Sequence, residues 1–574
     1  MTKRLAVVIS GAVSLGSYEA GVMYELLEAI ALSNERLKKL APQRYEQDRV
    51  VIDVITGASA GAMTAGILAQ QLMFHGQELR KPYANPLYEA WVKKVNIDEL
   101  LSVEPELHKY SLLSTGVIDD IAAEYLRECP GPELDPHPAL DGTLSVGIAM
   151  ANLNGFPLNI KGQSETFSYS RYKDQFVCLI SREASPDGNE VVRLHELEPF
   201  QQGAGISWRP ITGPSGSNRP NDENEAREGW NQLRIMALSS GAFPFAFRSR
   251  RIKRVGGSPE GIMHTRDSQT KKDRGDSLRN GDYLYTDGGV FENEPVGMAA
   301  ELSSQIDAQR AGQQRKYLFV APGKRTFNQD PLLNRDDDLL ALVTALMAAI
   351  FGQSRYQDWI TKGLEGELLT VTTSDVALIG DGFSAFGGFL EFDFRAYDYN
   401  VGRRTAREKL VEGRFRELIG DFEPIRAMMK PIDWVGMDGG NEGLTQQAAA
   451  TNELGETERW LAKCVQFKSL AEGGKPSGSS GQNTQGSLQQ LRLLMVNVSV
   501  SRRKLISKQI RSRVNSLIDY VNADYLDGAD RRRKGGGLLL CMRYWIGKPM
   551  TKILVYLFVV RPFLKRNILN PKLF

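Results

Sequence analysis

The sequence predicts an α/β fold with a mostly parallel central sheet, and three observations carry that prediction. An apolar, β-branched run at residues 4–10 (RLAVVIS) is followed by helical apolar spacing from Tyr18 to Ala31, at Val22, Met23, Leu26, Leu27 and Ile30. A second such run at 50–57 (VVIDVITG) leads into small and apolar residues up to Met73 that read as another helix. Further strand candidates follow at 143–152 (TLSVGIAMAN), 282–286 (DYLYT) and 316–322 (KYLFVAP). Strand, helix, strand, helix in this order builds βαβ units, whose ligands gather at the carboxyl ends of the strands.

Each element has its reason. The opening MTKRLAVVISGAVSLG superficially resembles a signal peptide, but its apolar run, Leu5 to Ile9, is shorter than such a peptide needs, so a first β-strand is expected. Residues 203–228 and 254–281 are rich in Gly, Ser, Pro, Asn and charge, and read as long surface loops. Residues 336–353 (DDDLLALVTALMAAIFGQ) begin with acids suited to a helix N-terminus and continue apolar all round, which fits either a core helix or a lid. Residues 471–489 have the composition of a flexible linker. The expected organisation is a first domain over 1–425, a connecting segment over 426–470, that linker, and an α-rich, basic and apolar C-terminal region over 490–574.

Composition narrows the function classes. The chain of 574 residues is 42% hydrophobic, enough for a sizeable core, and its net charge of +2 excludes a global field for polyanions. That neutrality is uneven: residues 490–574 hold 18 Lys and Arg against 4 Asp and Glu, a balance of +14, leaving −12 for the rest. A basic tail on an acidic body calls for an anionic partner. Nucleic acid is disfavoured, because basic residues outside the tail are balanced by acids. Cys129, Cys178, Cys464 and Cys541 form no C-x-x-C pair, which suits a reducing cytosol and provides no zinc site.

The chemistry centres on GASAG at 57–61. Ser59 between Gly57 and Gly61, after a strand and before a helix, is either a tight turn that needs small residues or a nucleophile elbow. A serine nucleophile needs a base, and none of the five histidines stands after a strand in a glycine-rich catalytic turn. His108 and His195 read as surface helix or loop residues, and His137 lies between prolines. In DYLYTDGGVFENEP (282–295), Asp287 follows an alternating strand and precedes Gly288 and Gly289. It is either an Asp-Gly turn or a carboxylate base whose ordinary pKa of about 3.9 burial would raise. The small-residue loop SGAVSLGSYEAG (10–21) opens the first helix, and could hold a phosphate or donate backbone N–H groups to an oxyanion; its glycines, at 11, 16 and 21, do not form G-x-G-x-x-G.

The order glycine-containing loop, G-x-S-x-G, D-G-G resembles the patatin-like phospholipases over about residues 4–325. SSGAFPFAF (239–247) and the Asn293 and Pro295 of DGGVFENEP match further blocks, and GGFLEFDFRAYDYNVGRRTA (387–406) looks like an extension of large bacterial members. The resemblance implies a patatin-like three-layer α/β/α fold, a lipid acyl hydrolase of phospholipase A type, and a Ser–Asp dyad without histidine. Ser59 would be the nucleophile, Asp287 the base, and Gly11, Ala12 and Val13 the oxyanion hole, with no metal or organic cofactor. The family loop D-G-G-G-x-R-G reads Ser10-Gly11-Ala12-Val13-Ser14-Leu15-Gly16 here, so Leu15 stands in the arginine position and cannot help recognise a charged head group. Rival readings are a thioesterase or neutral-lipid hydrolase with the same dyad, or a catalytically silent membrane-binding scaffold.

The tail at 531–560 joins four cations, Arg531, Arg532, Arg533 and Lys534, to a 23-residue apolar stretch from Leu538 to Val560. Arg543, Lys548 and Lys552 would each cost about 3 kcal/mol at the centre of a bilayer span. Docking on an anionic membrane surface or burial in a C-terminal subdomain are the two alternatives. A cytoplasmic protein, peripheral at the inner face of the membrane, is the expectation.

Overall fold

Valine and isoleucine dominate the first two strands, β1 (Lys3–Ile9) and β2 (Val50–Gly57), because they run through the middle of the molecule; every residue of β2 is buried. The structure, a computed structural model, describes residues 2–103, 111–127, 135–161, 166–184, 190–197, 208–211, 222–254, 281–308, 314–322, 367–373, 378–380, 385–432, 495, 498–532 and 568–569. The helix expected at 336–353, the linker at 471–489, the tail over 533–567 and 570–574, and the loop expected at 254–281 apart from its two end residues lie outside the described residues.

The remaining strands are β3 (Leu140–Lys161), β4 (Thr166–Ala184), β5 (Glu190–Leu197), β6 (Trp208–Pro210), β7 (Arg250–Arg254), β8 (Gly281–Asp287), β9 (Gln314–Ala321) and β10 (Leu368–Thr372). They form one sheet in the order β10-β9-β1-β2-β3-β4-β5-β6, with β7 and β8 off this path. The centre, β10 to β3, is parallel throughout, and β4 to β6 extend it antiparallel. Among the described residues the helices of at least ten residues are α1 (Gly16–Leu40), α2 (Ala60–Phe74), α3 (Gly116–Tyr125), α4 (Asp222–Ser240), α5 (Val296–Ala308), α6 (Phe392–Leu410) and α7 (Val500–Arg532).

Alternation along β1 assigns the layers. Leu5, Val7 and Ile9 enter the larger core with side chains of α1, α2, α3, α4 and α6, whereas Ala6 and Val8 meet α5 through Val296, Met298 and Leu302 on the other face. This is a three-layer α/β/α arrangement. Helices α1 and α6 touch backbone to backbone: a Cβ on Gly21 would stand 2.0 Å from the Tyr399 carbonyl oxygen, and one on Gly402 2.2 Å from that of Tyr18. Charges buried among the strands are matched, since Asp53 pairs with Arg4 at 2.8 Å and with Arg315 at 2.6 Å.

Two local expectations need correction. Part of 203–228 is regular: β6 adds to the sheet edge, and α4 starts at Asp222, its polar first turns having read as loop. His195 lies on strand β5, paired with Leu179 of β4, because the alternation of VVRLHEL is a strand period. Helix α7 packs on the body: its Ile506 joins the main core with Met495 and Val498 just before it, and buried Arg513 donates to the carbonyls of Ser102, Ser111 and Leu112. No helix among the described residues is long and apolar enough to cross a membrane.

Candidate active site

Strand register brings the two central residues together. Parallel pairing of β2 with β3 ends at Gly57 opposite Ile148, and β8 then takes the vacated edge of β3, with Asp287 opposite Met150. Ser59, two residues past Gly57, therefore faces the last residue of β8. Its backbone sits at φ 53°, ψ −123°, a conformation that costs a non-glycine residue about 1–3 kcal/mol and turns the side chain out of the strand-to-helix turn. The Ser59 N–H donates to Ser240 Oγ at 2.8 Å, and α2 begins at Ala60.

The Ser59 hydroxyl donates to Asp287 Oδ2 at 2.6 Å, while the Gly289 N–H donates to Asp287 Oδ1 at 2.7 Å. Asp287 is 1% exposed. Burial pushes its pKa up to about 7, the two hydrogen bonds opposing that shift only in part. The Ala242 carbonyl accepts from the Asp287 N–H at 3.0 Å and from Thr286 Oγ1 at 2.8 Å, which fixes the end of β8. Gly57 and Gly61 face each other across the turn, and Gly288 lies against the Ala149 carbonyl.

The loop after β1 lies directly over this pair. A Cβ on Gly11 would stand 2.2 Å from Asn293 Oδ1 and 3.1 Å from the Ser59 Cβ, so only glycine fits. Gly11 is nevertheless not a free donor: its N–H donates to the Asn293 carbonyl at 3.0 Å, and Asn293 Nδ2 donates back to the Gly11 carbonyl at 3.3 Å. The N–H groups of Ser14 and Leu15 are also taken, by the carbonyls of Ala385 and Ala12. Ala12 and Val13 remain, with no acceptor for their N–H groups among the described residues. Val13 has φ 51°, an outlier for a β-branched residue. Ala60, the first residue of α2, presents a further N–H that no intrahelical carbonyl reaches.

A segment far along the chain clamps that loop. Ser14 Oγ accepts from the Gly388 N–H at 3.1 Å. Buried Arg395 donates to the carbonyls of Val92, Gly388, Phe389 and Glu391, and Asp398 accepts from the N–H groups of Ile379 and Gly380 at 2.9 and 2.8 Å. Sequence reasoning missed the parts of Ser240, Ser14 and Arg395; the similarity of 387–406 to a family extension was the available signal for the last.

Beside Ser59 opens a pocket, partly open to solvent, lined by Val13, Met63, Ile67, Trp91, Ile121 and Phe243 among others. Its walls are apolar apart from Ser59; the Trp91 indole N–H is directed to Thr64 Oγ1 at 3.0 Å. This shape and lining suit an aliphatic chain whose head lies at the serine.

Among the described residues no histidine takes part in this site; His108 and His264 lie outside them. His137 is fully buried, which lowers its pKa to about 3, and its Nδ1 accepts from the Ala139 N–H. Ser181, His195 and Glu183 cluster on β4 and β5, but serine and carboxylate both meet Nε2, at 3.1 and 2.8 Å, so the imidazole cannot relay between them. Among the described residues no group of His, Cys, Asp or Glu could hold a metal ion.

Fold and site together define an α/β protein of hydrolase-like build, with its serine at a strand-to-helix turn. The family model described as Patatin-like phospholipase matches residues 7–300, half of the chain, and the chain belongs to that family. An uncharacterized protein of Sinorhizobium fredii, y4iI, is 24% identical over 479 residues, covering 71% of this chain and 64% of its own length. The chain thus spans slightly less than two thirds of that relative.

Proposed function

We propose that the protein is a lipid acyl hydrolase of phospholipase A type that cleaves fatty acyl esters through an acyl-enzyme. The observation that carries this reading is the buried 2.6 Å hydrogen bond from Ser59 Oγ to Asp287 Oδ2 at the mouth of an apolar cavity. With the acyl chain in the cavity, Ser59 Oγ attacks the ester carbonyl as its proton passes to Asp287 Oδ2. The N–H groups of Ala12 and Val13 donate to the oxyanion, at the positive end of α2. Asp287 then protonates the leaving alkoxide, and the acyl group stays on Ser59. Water attacks that ester with Asp287 again as base, releasing the fatty acid and restoring the serine. A carboxyl with a pKa near 7 is matched to both proton transfers. The reading includes a cytoplasmic location, peripheral at the inner membrane face, with Arg531, Arg532, Arg533 and Lys534 directed to anionic lipid.

Turnover of a fluorogenic acyl ester tests it. Ser59→Ala and Asp287→Asn should each lower kcat by at least about a thousandfold, and Ser59 should be the residue labelled by a fluorophosphonate. Unchanged turnover in Ser59→Ala overturns the dyad. An inactive, unlabelled wild type favours a silent scaffold, and preference for thioesters or triacylglycerol over phospholipid favours the rival hydrolases.

A further inference from the structure

Phe245 is the most exposed of the large hydrophobic residues in the described part of the chain, at 75%, and its backbone has φ 65°. Both features are unfavourable. A phenylalanine in the left-handed region is strained, and its ring here makes no ring contact among the described residues to compensate. The position explains what the ring reaches. Phe243 and Phe247 on either side line the cavity beside Ser59, so Phe245 stands on its rim. Across the rim lies Leu112, 57% exposed, held there because its N–H donates to the Phe245 carbonyl at 2.8 Å; the next N–H, of Leu113, donates to the Ala246 carbonyl at 2.9 Å. Two bonded loops therefore present an apolar pair to solvent at the cavity mouth.

The helix bonded to this rim carries exposed cations. Arg513 ties α7 to the Leu112 carbonyl at 3.0 Å, and Lys504, Lys508 and Arg511, spaced by four and three residues, form an exposed stripe on the same helix. They belong to the region whose balance is +14. We propose that Phe245 and Leu112 form an anchor that enters an anionic phospholipid bilayer, with the stripe on α7 against its head groups, so that an acyl chain passes from the bilayer into the cavity. The anchor extends the hydrolase reading by supplying its substrate from a membrane, but binding can be tested without catalysis.

Sedimentation with vesicles of phosphatidylcholine, alone or mixed with phosphatidylglycerol, reads binding in a Ser59→Ala background that leaves the lipid intact. Adding Phe245→Gly should weaken binding to both vesicles by roughly tenfold, as loss of one inserted aromatic side chain implies. Its melting temperature should be unchanged or higher, because glycine relieves the positive φ. Adding Lys504→Gln with Lys508→Gln should weaken binding to the mixed vesicles alone. No binding by the parent, or binding unaffected by Phe245→Gly, overturns the proposal. In the active enzyme, Phe245→Gly should slow vesicle hydrolysis and leave turnover of a soluble short-chain ester unchanged; an equal fall in both overturns it. Should the wild type hydrolyse neither substrate, the hydrolase reading fails while the sedimentation result still decides the anchor.

Discussion

At the scale of the residue, Asp287 ties stability and activity to pH with opposite signs. Its folded pKa of about 7 lies above the ordinary value, so at pH between about 4 and 7 the folded chain keeps a proton that the unfolded chain gives up. Stability from this group is complete below pH ~4 and is lost as pH rises through ~7, a difference of up to ~4 kcal/mol at about 1.4 kcal/mol per unit. The proposed mechanism needs Asp287 ionised as the base, so it predicts that kcat/KM climbs through pH about 7 and levels off above it. Asp287→Asn should be inactive at every pH. It should melt close to wild type at pH 5 and above it at pH 8, which thermal melts at the two pH values check.

Element by element, the loop proposed to hold the oxyanion is bonded from outside the family-matched residues. In the loop after β1 Val13 has φ 51°, the next residue, Ser14, is bonded twice to the 385–388 segment, and Arg395 bonds that segment in turn. Ser14→Ala removes the acceptor for the Gly388 N–H while filling the same space. On a soluble ester it should lower kcat about tenfold with KM little changed, since loop geometry matters most to the transition state. Arg395→Met removes the donor from three buried carbonyls and a part-buried one, and should also destabilise by about 3 kcal/mol or more, read from denaturant unfolding.

The same elements show what could be read in advance. Strands β1 and β2 and helices α1 and α2 follow from unbroken apolar periodicity. Helix α4 does not, because its first turns, DENEARE, are as polar as a loop. Gly11 looked like a third donor alongside Ala12 and Val13, and only the distant Asn293 carbonyl removes it from that role.

For the whole molecule, α7 is joined to the body by more than chain connectivity. Ile506 is 1% exposed and Arg513 2%, with the Arg513 guanidinium donating to three loop carbonyls. Arg513→Ala should lower stability by about 2 kcal/mol and lower the melting temperature accordingly. A melting temperature equal to that of the wild type would mean that these three hydrogen bonds contribute nothing to the fold.

By itself the sequence determined the parallel sheet, the serine turn and the aspartate after its strand, because these depend on periodicity and small residues within a few positions of one another. It also recorded, in the uneven charge, that the C-terminal region differs from the body. Only the tertiary structure decided that Asp287 is buried against Ser59, which loop N–H groups stay unbonded and where Phe245 points. Those outcomes arise from contacts between residues hundreds of positions apart, and desolvation and hydrogen-bond satisfaction are properties of the packed surroundings that no local stretch of chain contains.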